Sequence, residues 1–186
     1  AGIGWYRKHF NARRFTSEKV YLYFEGVYNR SSVYLNGHLL GERPNGYISF
    51  MYDLTPYLNR DGDNVLAVKV DHSRLADSRW YTGSGIYRDV WLIQAGETHF
   101  SQWGVGYNAV SVTDKQAVIR VDAAIEGLKG TSNKLALELK DANGNTVAKK
   151  TVKAAANQEV DLIVKNPHRW NLDDTYMYKL EASILN

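Results

Sequence analysis

Apolar and polar residues alternate along most of this chain. Lys19-Val20-Tyr21-Leu22-Tyr23-Phe24-Glu25 and Ser32-Val33-Tyr34-Leu35-Asn36 are short, rich in β-branched and aromatic residues, and bounded by Gly or Asn, which predicts strands. Val65-Leu66-Ala67-Val68-Lys69-Val70 and Arg88-Asp89-Val90-Trp91-Leu92-Ile93 repeat the pattern. Asn36-Gly37, set between a strand and Leu39-Leu40-Gly41, is a hairpin signal. Only Asp53-Leu54-Thr55-Pro56-Tyr57-Leu58 predicts a short helical turn, with Asp53 or Thr55 as cap and Pro56 in its first turn. No longer stretch carries helical periodicity.

The pattern changes character near Ala95-Gly96-Glu97. Before it the chain is aromatic-rich. Beyond it lie plainer strands at residues 117–123, 134–139, 147–152 and 158–164, with Asp141-Ala142-Asn143-Gly144-Asn145 as a turn between two of them. Short strands at about ten-residue spacing, with turn signals between, predict β-sandwiches. The expected fold is all-β, with one domain over residues 1–96 and a second over residues 97–186. A last strand is expected over Tyr176–Ile184, ending close to Asn186, and the second domain is expected to be truncated at its final strand.

Composition narrows the function. Hydrophobic content of 44% and charged content of 23% are ordinary for globular domains. A net charge of +3, with no Lys/Arg run longer than two, argues against a nucleic-acid partner. Cysteine is absent, which removes disulfides, thiol catalysis and cysteine metal sites. No apolar run approaches the roughly 18 residues that span a bilayer. Five histidines stand singly, without metal-ligand spacing, and each is expected on the surface or in a structural hydrogen bond. Serine-hydrolase elbows, P-loops and dinucleotide fingerprints are missing, and no carboxylate sits in a recognisable catalytic context.

The densest chemistry lies in residues 71–91, where a loop after a strong strand carries Asp77, Arg79, Trp80 and Tyr81 and returns through Gly83 and Gly85. Both glycines suit positive φ or close backbone approach. An aromatic face beside charged groups is the chemistry that carbohydrate recognition needs. The same residues also admit a structural reading, in which Trp80 and Tyr81 pack the sandwich edge and Arg79 pairs with Asp77.

Residues 4–10, 24–28, 33–37, 46–50, 53–55 and 83–90 fall in an order that resembles glycoside hydrolase family 2, and bacterial β-galactosidases within it. The resemblance implies that residues 1–96 are a jelly-roll, galactose-binding-like sandwich whose N-terminal segment is missing. It implies that residues 97–186 are an immunoglobulin-like sandwich, marked by Asn166-Pro167-His168-Arg169-Trp170, with Arg169 where the family has Leu. In the family a (β/α)8 barrel follows, with the two glutamates of retaining hydrolysis. Neither catalytic motif is found here, so the chain alone is expected to be inactive. The resemblance further implies Asp77, Arg79, Trp80 and Tyr81 as the rim of the barrel's substrate pocket, Asp77 at a shifted spacing. It implies a galactoside ligand, no cofactor in this stretch, and sodium or magnesium in the parent enzyme. Trp5-Tyr6-Arg7-Lys8 is expected to be a core strand with Arg7 in a buried pair.

Three functions compete: a non-catalytic portion of a glycosidase, a self-sufficient carbohydrate-binding module, and a structural or adhesive pair of sandwiches. The conspicuous polar and aromatic loop speaks against the third. Self-association into a homo-oligomer and a bacterial periplasmic or extracellular setting complete the expectations.

Overall fold

The computed structural model describes residues 2–74, 82–130 and 132–186. Among them the regular structure is β, apart from a 3-10 turn at Thr55–Tyr57, and the chain divides into two compact units, Ala1–Gly96 and Glu97–Asn186. Each has its own core.

Unit 1 contains β1 (Ile3–Asn11), β2 (Lys19–Phe24), β3 (Val27–Tyr28), β4 (Ser31–Leu35), β5 (His38–Arg43), β6 (Phe50–Asp53), β7 (Asp63–Asp71), β8 (Gly85–Ile86) and β9 (Val90–Ala95). They form a four-stranded sheet in the order β1-β7-β4-β5, a three-stranded sheet β6-β2-β9 and the short pair β3-β8. Val20, Leu22 and Phe24 of one main sheet and Val33, Leu35, Leu66, Val68 and Val70 of the other share a single core, making a β-sandwich. Strict alternation in β7 sends Asn64, Leu66, Val68 and Val70 inward.

Asn36 and Gly37 both have positive φ, 50° and 86°, the backbone that a two-residue hairpin requires, and Leu35 pairs with His38 across them. The Asn36 side chain accepts from Val65 N–H at 2.9 Å and donates to Tyr57 O at 2.8 Å, tying the hairpin to β7 and the 3-10 turn. The cap expectation is corrected: Leu54, not Asp53 or Thr55, is the N-cap of that turn and carries no side-chain cap bond, while Asp53 just before it accepts from Thr55 N–H at 2.8 Å and Pro56 occupies the first turn.

The expectation for β1 is corrected. It is an edge strand that pairs only with β7, and Trp5, Tyr6 and Arg7 are exposed. Arg7 has no ion pair among the described residues. Trp5 rests instead against Tyr34, with ring centroids 5.9 Å apart.

Unit 2 contains β10 (His99–Val112), β11 (Gln116–Glu126), β12 (Lys134–Lys140), β13 (Thr146–Lys153), β14 (Asn157–Lys165) and β15 (Lys179–Leu185), in two sheets, β10-β11-β14 and β13-β12-β15. Val121, Ala123, Leu135, Leu137, Leu139, Val160 and Leu162 fill the space between them, giving a second β-sandwich. The Asp141 carboxylate accepts from Asn143 and Asn145 N–H, and Gly144 adopts φ 85°, which closes the β12–β13 turn.

The last strand begins at Lys179, later than expected. Tyr176 is held outside it, stacked on His168 at 3.9 Å between ring centroids, while Tyr178 Oη accepts from His168 N–H at 2.8 Å.

Lys140 and Lys179 donate to Glu181 at 2.6 and 2.8 Å, which lowers its carboxyl to about 2. A depressed folded pKa means that the bridge stabilises β15 above the unfolded value and is lost as pH falls through about 2. An NMR titration of the Glu181 carboxyl carbon is expected to show a midpoint near 2; a midpoint at the ordinary glutamate value would show that the bridge is not formed.

Candidate functional site

Asp77, Arg79, Trp80 and Tyr81 lie within 75–81, outside the described residues. The structure does define the ground on both sides of that segment, where the chain leaves β7 and returns at β8.

On the departing side the backbone is fixed by neighbours distant in sequence. Asp71 N–H donates to Asn29 O at 3.2 Å and His72 N–H to Gly2 O at 2.9 Å. The Asp71 carboxylate accepts from the Ser73 hydroxyl at 2.6 Å and the Ser73 N–H at 3.0 Å, and it pairs with Arg30 at 3.4 Å. The Ser73 hydroxyl contributes most to lowering the Asp71 carboxyl to about 2, with the Ser73 N–H and Arg30 adding to it. This clamp is therefore complete above the usual aspartate range and opens as pH falls through about 2.

His72 continues the inward alternation of β7 and is 7% exposed. Its Nδ1 lies 2.6 Å from the Ser84 Oγ, so the two sides of segment 75–81 are joined directly. Tyr28 meets the His72 ring edge-on at 5.0 Å and Tyr47 at 5.3 Å. Gly46 makes room for this cluster, since a Cβ there would fall 2.3 Å from the Tyr28 ring.

On the returning side, Gly85 pairs with Tyr28 and adopts φ 109°, a conformation for glycine alone. A Cβ at Gly85 would lie 2.1 Å from the Tyr6 hydroxyl, which accepts from Ile86 N–H at 3.4 Å. Tyr87 then donates to Gly46 O at 2.8 Å. Of the two glycines singled out in the sequence, Gly85 meets both expectations. Gly83 meets neither, since a Cβ there would have no neighbour within 4 Å among the described residues and its φ is not positive.

The arrangement is a collar of aromatic and hydrogen-bonding side chains that fixes the spacing of two chain ends. Among the described residues no three His, Asp or Glu side chains are grouped to hold a metal ion. Sequence reasoning did not bring Tyr6, Tyr28, His72 and Ser84 together, although the structural hydrogen bond expected of a lone histidine is what His72 makes. His72 carried one readable signal, since it extends the inward positions 64, 66, 68 and 70 of β7 by one more step. Replacing Ser84 with Ala is expected to cost about 1 kcal/mol, read as a lower urea midpoint together with a changed His72 Nδ1 shift. An unchanged Nδ1 shift would show that Ser84 does not bond His72.

Comparison with known proteins places both units. Residues 1–96 match the model described as glycosyl hydrolases family 2, sugar binding domain, and residues 98–186 match a second, described as glycosyl hydrolases family 2. The β-galactosidase BoGH2A of Bacteroides ovatus is 42% identical over 193 residues, covering 99% of this chain and 23% of the relative. A β-glucuronidase of Formosa agariphila is 31% identical, covering 98% of this chain and 22% of its own length. The crystal structure of a β-glycosidase from Bacteroides vulgatus superposes with a TM-score of 0.90 at 39% identity, over 100% of this chain and 24% of that one. The chain thus spans about a quarter of the length of the relatives it matches. With family models matched over both of its sandwiches, and with the motif order that pointed the same way, this chain belongs to glycoside hydrolase family 2.

Proposed function

We propose that the chain is the non-catalytic front portion of a retaining, β-galactosidase-like glycosidase, serving a (β/α)8 barrel elsewhere in the same polypeptide. In this reading the collar sets the path of residues 75–81, and Asp77, Arg79, Trp80 and Tyr81 complete the rim of the barrel's galactoside pocket. The observation that carries it is the His72–Ser84 contact at 2.6 Å across the base of that segment, braced by Tyr28 and by the constrained Gly85. Such bracing supplies the positional precision that a binding group needs. The parent's acid/base and nucleophile glutamates, and its sodium or magnesium, belong to the barrel-bearing protein. Its setting is bacterial and periplasmic or extracellular, and homo-oligomerisation belongs to the same proposal.

Incubating the chain with a chromogenic β-galactoside is expected to release no chromophore, and enzyme-dependent hydrolysis would overturn the reading. The second reading is a self-sufficient carbohydrate-binding module, which the exposed Trp5 and Trp91 of unit 1 favour. It is separated by adding galactose while the Trp5, Trp80 and Trp91 indole N–H signals are followed by NMR. No saturation at any of them up to about 50 mM is expected, and saturation at one without a barrel would establish the module instead.

A further inference from the structure

The structure places an exposed Trp in unit 2 where neither the motifs nor the proposed function calls for one. In β10 the register jumps from Phe100 opposite Ile125 to Val105 opposite Ala123, so a bulge interrupts the strand. Trp103 sits in that bulge with φ 56°, left-handed backbone that bulky residues avoid, and its side chain is 80% exposed. Gly104 is required beside it, because a Cβ there would lie 2.6 Å from Ser101 O and 2.7 Å from Ala124 O. Strained backbone that turns a large aromatic out to solvent, away from the core it could have packed, marks a functional position.

The surroundings say what the indole could meet. Trp103 borders a groove of about 610 Å3 on the sheet face turned away from the core. Gly106, Asp122 and Glu159 stand side by side in that order across β10, β11 and β14, so a position without a side chain lies on one side of the Asp122 carboxylate and Glu159 on the other. Asp122 makes no ion pair or side-chain hydrogen bond among the described residues, while Glu159 keeps Arg120 at 3.4 Å.

We infer that this face of unit 2 is a second, non-catalytic saccharide site. The indole would take the C–H face of a pyranose, and Asp122 and Glu159 would accept from its hydroxyls. Asp122 and Glu159 together outweigh the single Arg120 that pairs with Glu159, which disfavours a uronate, so the ligand class is a neutral oligosaccharide. The site would hold a longer chain against the protein, independently of residues 75–81.

The test follows the Trp103 indole N–H of the 186-residue chain by NMR during titration with β-1,4-galactotetraose. A saturable shift with a Kd of about 1 mM is expected. Trp103→Ala should weaken binding, read from the neighbouring amides, by at least about tenfold, and Trp103→Phe should recover most of it. Asp122→Ala, which leaves the bulge untouched, should weaken binding several-fold and keeps the test decisive if Trp103→Ala fails to fold. Tetragalacturonate should leave the signal in place. A flat Trp103 signal, an equal response to the uronate, or a shift that follows protein concentration without sugar would overturn the proposal. Since the readout is at Trp103, its failure leaves the result at Trp5, Trp80 and Trp91 standing, and the reverse.

Discussion

Replacing Gly85 with Ala is expected to lower the stability of unit 1 by about 2–4 kcal/mol. Two effects add. The φ of 109° is forbidden to a residue with a Cβ, and that Cβ would overlap the Tyr6 hydroxyl at 2.1 Å. Tyr6 lies on an exposed edge strand and could swing away, but only by giving up its bond to Ile86 N–H, and the backbone strain would remain. Gly83→Ala is the control. Its Cβ would meet nothing within 4 Å among the described residues, so it is expected to change stability by less than about 0.5 kcal/mol. Urea unfolding of the two variants measures the contrast; equal midpoints would show that the returning side of the collar is not constrained.

The second large effect is expected in the core. Phe24 is fully buried and stacks on Phe50 with centroids 4.9 Å apart, so Phe24→Ala should cost about 3–5 kcal/mol. Because Phe24 and Leu137 belong to separate cores, the loss should be confined to unit 1. Hydrogen exchange is expected to lose protection in β2, β4 and β7 and to keep it in β11, β12 and β14. Leu137→Ala should give the mirror image, at about 2–5 kcal/mol. Loss of protection in both units from either substitution would mean that the two sandwiches unfold as one.

These expectations rest on features that the sequence exposes unevenly. Alternation made β2, β4, β7 and β11–β14 readable because each buries one face against its own core. Asn36-Gly37 and Asp141–Asn145 were readable because their chemistry serves the local backbone. β1 was readable as a strand but not as an exposed edge, since its place in the sheet is set by pairing with residues sixty or so positions away. β10 was missed because Trp103-Gly104 breaks its period with a bulge. Tyr176 and Tyr178 look like strand residues, yet their contacts with His168 keep them out of β15.

The candidate site divides the same way. Asp77, Arg79, Trp80 and Tyr81 came from residue chemistry and from resemblance. The collar of Tyr6, Tyr28, His72 and Ser84 joins four separate stretches of chain, and only the fold brings them together. Its clamp at Asp71 adds a pH dependence, since the bonds to Ser73 and Arg30 should loosen only as pH approaches 2.

The central claim is that the collar presents Arg79 and Trp80 to a pocket belonging to another domain of the same protein. The most direct measurement is kcat/KM for a chromogenic β-galactoside in the barrel-bearing polypeptide, with and without Arg79→Ala and Trp80→Ala. Each variant is expected to lose at least about tenfold, mostly through KM, with the fold intact. An unchanged kcat/KM in both variants would contradict the account.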